Sequence, residues 1–347
     1  MQTKKYKSDI EDILNSKFST YVAHDYDFFS YEENGIPKKK LIFLKYRDFD
    51  DVVNIFFDEL NNYLNDTGLF ENIKTNVEYK SCIVNFFKKS SLTDGSISKK
   101  HKEKYNDIKN INEHEFNILI QKISIIKIHY KKKYIPLYEK IRNEQGKKLI
   151  LENNIHICPY CKRNYINVVT SDKDKSFVIK PDLDHFYDKA SYIFFAGTVE
   201  NLVPSCTVCN SKLKGTKDFA ISKHIHPLVD SDIFKKIKFN YIGSNNTIYI
   251  ENKNELSIME QQTIETFRIE EIYNTHKEIL FNIKNKHYHY NITKRNTIQT
   301  TLPNLNSQKI LETIFYEYFH LDELKEPMYK MKRDLFNNIL KKDLYGK

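Results

Sequence analysis

The sequence predicts an α+β protein, helical at both ends and built from short strands in the middle. Three observations carry this reading. Apolar residues recur at helical spacing through residues 48–64, 112–134, 257–283 and 308–340. Short strand-like runs separated by polar turns cluster between residues 164 and 252. Four of the 5 cysteines form two CxxC pairs inside that middle region.

Residues 1–150 read as a helical region. DFDDVVNIFFDELNNYL (48–64) opens on an aspartate, a residue type that caps helix N-termini, and then repeats its apolar positions with a helical period. NEHEFNILIQKISIIKIHYKKKY (112–134) supports a second helix. Between them, KKSSLTDGSISKKHKEKYN (88–106) has the Ser, Gly and Lys content of an exposed loop, either a solvated linker or an arm that grips phosphates.

From 151 to 230 the pattern changes. NYINVV (164–169) and SFVIK (176–180) flank the turn TSDKD and predict a hairpin, and a second hairpin is predicted around GSNN, near 236–252. Residues 231–347 therefore read as a hairpin followed by helices. The chain contains no internal repeat and no low-complexity tract.

Composition bounds the function. A hydrophobic fraction of 40% with 8 Gly and 8 Pro is that of a soluble globular protein. No apolar run approaches the roughly 18 residues needed to cross a bilayer, so the expectation is a cytoplasmic protein with no membrane partner. The formal net charge of +9 fits a phosphate-rich partner such as nucleic acid, and fits equally the Lys-, Asn- and Ile-rich usage of an AT-rich coding sequence. Residues 151–230 carry ten Lys and Arg against nine Asp and Glu, so most of the excess lies in the flanks. Segments 88–104, 127–133 and 284–295 are the candidate phosphate clamps.

Cys158 and Cys161 in CPYC, and Cys206 and Cys209 in CTVC, have the spacing of two zinc knuckles. Each CxxC turn can present two thiolates to one tetrahedral ion, and two turns complete a closed structural site with no vacancy for substrate. Cys82 stands apart. The 44 residues between the pairs exceed an ordinary finger, which implies an inserted element.

That insert holds Asp184 and His185, then Asn201 before the second knuckle and Asn210 after it. TVCNSKLKG has the length of a short helix closed by Gly215, with Asn210 and Lys214 at i and i+4 on one face and Lys212 elsewhere. A zinc-fixed helix set against a hairpin bearing Asp184 and His185 would bring together a carboxylate, an imidazole and an amide, the parts of a metal-dependent phosphodiesterase.

CPYC, DLDHFYDK, ENLVPSC and CNSKLKG, in that order, resemble the HNH endonuclease superfamily, with its ββα-metal fold and a treble-clef-like zinc clip. The resemblance covers about 158–217, trails to IHPLVD at 225–230, and extends by type to HNH components of bacterial anti-phage and restriction systems. Some of those, such as the Septu type, act with an ATPase. It implies His185 as general base, Asp184 as first ligand of a catalytic Mg²⁺ or Mn²⁺, and Asn201 as the brace of the histidine loop. Asn210 takes the last motif position, where many relatives have His. Asp188, Ala190 and Ile193 depart from the FYPKS and YP of many relatives. Lys214 and, more weakly, Lys189 are candidate phosphate contacts, and His226 is either a further ligand or a packed, capping histidine.

The expectation is thus a zinc-containing DNA endonuclease acting on phage or other foreign DNA, restrained by an ATPase or another defence partner and capable of forming a homodimer. RNA is the alternative substrate. The alternative of a different class is a non-catalytic zinc-ribbon adaptor that binds nucleic acid or protein.

Overall fold

The computed structural model describes residues 41, 44–66, 77–104, 112–142, 155–173 and 177–345. The charged N-terminal segment, residues 1–40, lies outside this set, as do the last residue of the turn predicted at 170–174 and the two that follow it. The architecture is α+β, with small two-stranded sheets among many helices. Contacts divide the chain into two compact units. The first comprises Met1–Leu149, Leu183–Leu202 and Thr216–Ile221, and the second Ile150–Asp182, Val203–Gly215 and Ser222–Lys347. Residues 151–230 are thereby distributed over both.

In the first unit, α1 (Phe49–Asp66) begins with Asp50 and Asp51 in its first turn, where carboxylates oppose the positive end of the helix dipole. It buries Phe49, Val52, Phe56, Phe57, Leu60 and Leu64 along one face. Helix α2 (Val77–Lys89) buries Ile83, Phe86 and Phe87. Helix α4 (Glu113–Lys140) is opened by a reciprocal cap, in which Glu115 N donates to Asn112 Oδ1 at 2.9 Å and Asn112 N donates to Glu115 Oε2 at 3.3 Å. The segment expected as an exposed loop at 88–106 is only partly so. Its first residues complete α2, and Lys99–Glu103 form the short helix α3. Gly95 between them has φ +72 and lies so close to α4 that a Cβ would meet Ser124 O at 2.8 Å, so only glycine fits.

Residues 183–202 supply the aromatic side of this core. Phe195 stacks on Phe49 at 4.4 Å and Phe194 meets Phe56 at 4.3 Å. Tyr187 donates to Asp50 Oδ1 at 2.7 Å, and Tyr192 to Asp218 Oδ1 at 2.8 Å. Asp218 also pairs with Lys88 at 3.1 Å.

The clamp expected at 127–133 needs correction at its first residue. Lys127 is fully buried, because it falls on the same α4 stripe as Ile123, Tyr130 and Tyr134. Its Nζ donates to Phe87 O at 2.8 Å and also to Ala190 O, and lies 4.3 Å from the Phe87 ring centroid. Burial pushes its pKa down to about 7, with the Asp188 charge acting the other way. A neutral amine can still make both donations. In the unfolded chain the lysine titrates near 10.4, so between about 7 and about 10 the unfolded state binds more protons and this residue's contribution to stability grows as pH rises. The stability of the wild type relative to Lys127→Met should therefore increase by a few kcal/mol from pH 7 to pH 10, measured by denaturant titration. A difference that stays flat over that range would mean that Lys127 is charged throughout.

In the second unit, β1 (Val169–Thr170) pairs antiparallel with β2 (Phe177–Ile179), a shorter hairpin than predicted. The other predicted hairpin forms as β5 (Phe239–Ile242) and β6 (Thr247–Ile250), with Phe239 opposite Ile250. Between these hairpins in sequence come two short strands, β3 (Asp182–His185), which falls in the first unit from Leu183 on, and β4 (Leu202–Ser205), which falls in the second from Val203 on, and α5 (Ile233–Lys236) leads into β5. The helix expected over 257–283 is three helices: α6 (Ile258–Thr266), α7 (Ile269–Asn274) and α8 (Lys277–His289). Arg268 at φ +50 breaks the first junction. After α9 (Ile292–Thr301), the helix expected over 308–340 is interrupted. It comprises α10 (Ser307–Ile314), α11 (Tyr316–Phe319) and α12 (Tyr329–Tyr345). Pro327 disfavours helical backbone before it, and Met328 follows at φ +58. No helix among the described residues is long and apolar enough to cross a membrane.

Candidate metal centre and histidine loop

The first CxxC pair sits in a tight turn in the second unit. Cys158 N donates to Asn164 O at 2.9 Å and Lys162 N to Cys158 O at 2.8 Å, while Ile157 bridges to Tyr165. Lys162 takes the left-handed conformation at φ +48, which turns the chain sharply after Cys161. The second pair opens a short helix, Val208–Lys214, wound more loosely than an α-helix, and its closing bond runs over five residues from Gly215 N to Asn210 O at 3.0 Å. Gly215 ends it at φ +53, the stop predicted from the sequence.

All four cysteines are buried, and their Sγ atoms lie within 4.8 Å of one another. Four sulfurs around a tetrahedral zinc at about 2.3 Å would be about 3.8 Å apart, so this cluster could hold a metal ion such as zinc. Two N–H groups already point at sulfur: Asn164 Nδ2 to Cys206 Sγ at 3.3 Å and Cys206 N to Cys158 Sγ at 3.4 Å. Burial pushes the Cys158 thiol up while the hydrogen bond from Cys158 holds Cys161 down. Four sulfurs this close cannot all be thiolates without a cation between them. Among the described residues this is the one group of three or more His, Cys, Asp or Glu side chains placed to share an ion. Cys82 is buried on α2, and burial pushes its thiol up to about 12, where it is inert.

Residues that the sequence reading missed hold the first turn in place. Tyr273 on α7 is completely buried, stacks on Phe239 at 4.8 Å and donates to Cys161 O at 2.8 Å. Tyr160, between the two cysteines, stacks on Phe267 at 4.4 Å. Met328 N donates to Lys162 O at 2.8 Å, and Lys162 pairs with Asp232 at 3.1 Å. Nothing in the spacing of CPYC points to partners 70 or more residues away.

The histidine loop belongs to the first unit. His185 is buried, and its Nε2 lies 3.0 Å from Ala196 O. A carbonyl only accepts, so Nε2 carries a proton, and in a neutral ring the lone pair is then on Nδ1. The ring edge meets Tyr138 of α4 at 4.5 Å. Asn201, fully buried, pins the loop through three bonds: Tyr187 N donates to its Oδ1 at 2.7 Å, and its Nδ2 donates to Tyr187 O at 3.1 Å and Phe195 O at 3.2 Å. Its own carbonyl accepts from Phe186 N at 2.8 Å. Asp184 is buried beside His185 in β3.

The other predicted residues fall as follows. Asn210 in the second unit donates from Nδ2 to Asp182 Oδ2 at 3.1 Å, and because a carboxylate only accepts, the amide oxygen is turned the other way. Lys214 is buried and Lys212 exposed, the reverse of what phosphate contact by Lys214 would suggest. Lys189 is half-buried over the Tyr138 ring, 4.9 Å from its centroid. His226 is buried in the IHPLVD turn, where its Nδ1 accepts from Leu228 N at 3.3 Å and its backbone N donates to Asp230 Oδ2 at 2.7 Å, the capping arrangement rather than a ligand's.

No protein-family model matches the chain, and neither the curated proteins nor the solved structures yield a match. The functional reading therefore rests on the residues themselves.

Proposed function

We propose that the chain is a metal-dependent DNA endonuclease of the HNH type that hydrolyses phosphodiester bonds, with His185 as general base. The observation that carries this reading is the histidine loop: His185 Nε2 held against Ala196 O, in a loop whose two ends are tied by the buried Asn201. An imidazole oriented through one nitrogen by a carbonyl has its other nitrogen as the atom that would deprotonate an attacking water. Asp184 is the proposed first ligand of a catalytic Mg²⁺ or Mn²⁺, and by resemblance Asn210, in the last motif position, would offer an oxygen to such an ion. A carboxylate and an amide oxygen are hard donors that suit such ions, which take their remaining positions from water and phosphate. The bound ion would neutralise charge on the scissile phosphate and the leaving 3′-oxygen. His185 would take the proton from water through Nδ1, and Asn201 would keep the loop from shifting as the ring becomes charged. The four-cysteine site, as zinc, is structural.

By resemblance the enzyme acts in bacterial anti-phage defence or restriction in the cytoplasm, where a partner such as an ATPase would restrain it and a homodimer would cut both strands. The adaptor reading has one observation in its favour: no acidic or histidine cluster accompanies the four cysteines among the described residues. The deciding test is cleavage of supercoiled plasmid, phage DNA and RNA by zinc-loaded protein, with and without Mg²⁺ or Mn²⁺. Divalent-dependent nicking or linearisation of DNA is the expected result. Binding without cleavage of any substrate would favour the adaptor.

A further inference from the structure

Two cations crowd the ring that touches His185. Arg142 follows α4 and is exposed, with its guanidinium 5.9 Å from the Tyr138 centroid. Lys189, four residues after His185, sits 4.9 Å from the same centroid and is half-buried. Neither makes an ion pair with another described residue. Two carboxylates stand nearby without pairing directly with either cation: Asp188 Oδ2 accepts from Ser191 N at 2.9 Å, and Glu139 is exposed on α4. Burial first, and then the charge of Arg142, push Lys189 down, while the charges of Asp188 and Glu139 act the other way. Two cations gathered on one aromatic face, neither of them in a direct ion pair with a described residue, can close on the oxygens of an anion.

We infer that Arg142 and Lys189, mounted on the Tyr138 ring that His185 abuts, form a binding site for a backbone phosphate of the nucleic acid. This rests on the nuclease reading and deepens it. The guanidinium offers a planar fork that can hold two phosphate oxygens, the ammonium a point charge beside it, and the ring fixes both relative to the imidazole. A phosphate held there would set the strand's register against His185 without contacting the bases, so the site contributes affinity and positioning and no sequence preference.

The test measures binding and cleavage separately. Anisotropy of a labelled DNA duplex, with Ca²⁺ in place of Mg²⁺, is recorded across salt concentrations for the wild type, R142Q, K189Q and the double variant. K309Q/K325Q makes the same charge change at two exposed lysines elsewhere. The double variant should bind at least about 10-fold more weakly and lose about 1 from the slope of log Kd against log salt. Its KM should rise more than its kcat falls, and its zinc content and circular dichroism should not change. R142Q alone, at an exposed position, should show part of the loss if the double variant folds poorly, and K189R should bind as the wild type does. Wild-type binding by R142Q and K189Q, or an equal loss in K309Q/K325Q, overturns the phosphate site while leaving the nuclease reading intact. A wild type that neither binds nor cuts DNA or RNA removes both.

Discussion

Cys209→Ser should lose its metal ion and, with it, the cooperative unfolding of the second unit. Cys209 is fully buried at the start of the Val208–Lys214 helix, and its three partner sulfurs lie within 4.8 Å. Serine offers a hard, weakly acidic oxygen in place of a thiolate, and three thiolates cannot close a tetrahedral zinc site without a fourth donor. The stakes follow from linkage. Structural zinc in small domains contributes on the order of 10 kcal/mol at neutral pH, and strands as short as β1 and β2 supply little packing of their own. The expected readouts are zinc near one equivalent in the wild type and well below it in the variant, with new protease cleavage around residues 155–173 and 203–215. Chelation of the wild type should reproduce the effect. Cys82→Ser is the control: it removes a buried thiol from α2 and should cost about 1–2 kcal/mol with zinc content unchanged. A wild type purified without metal that ignores chelators would remove the zinc site altogether.

Local signals made part of this molecule legible. The two CxxC pairs are a short-range pattern whose chemistry is fixed by spacing, and they come together as predicted. The α1 and α4 helices follow apolar periodicity, and the Asn112–Glu115 cap is visible as N-x-x-E in the sequence. What stayed hidden depends on distant contacts or on single backbone angles. The continuous helical pattern of 257–283 conceals Arg268 at φ +50, because period alone does not register one left-handed residue. The basic run at 127–133 reads as a surface feature until the helical phase is followed, when Lys127 falls in line with Ile123 and Tyr130 on the buried face. In the candidate site, Asp184, His185 and Asn201 were legible as a motif. Tyr138 and Arg142, about half a hundred residues earlier, were not, since their relation to His185 arises from the packing of α4 against 183–202. The burial of Lys214 is hidden for a related reason: i, i+4 spacing places it on the Asn210 face and does not say whether that face is solvated.

His185→Gln should abolish most cleavage while leaving the histidine loop in place, and it separates the chemical role of the ring from its structural one. Glutamine can still donate an N–H toward Ala196 O, so the bond made by His185 Nε2 has a replacement, but its side chain carries no basic nitrogen. If His185 is the base, kcat should fall about 10²- to 10⁴-fold with Kd for DNA and zinc content unchanged. His185→Ala removes both functions and should match the glutamine variant in rate while losing more stability, because Ala196 O is left without this donor and the Tyr138 ring without its partner. Asn201→Ala supplies the opposite case. It keeps the imidazole and deletes three buried hydrogen bonds, taking one partner from Tyr187 N and one from Tyr187 O at about 1–3 kcal/mol each, while Phe195 O keeps the bond from Thr198 N. Its activity should fall with its melting temperature, and lowering the assay temperature should recover part of it. No such recovery is available to His185→Gln, whose loop is intact and whose proton acceptor is gone. Equal recovery in both variants would assign His185 to the architecture of the loop, and a full rate in His185→Gln would move the general base to another residue.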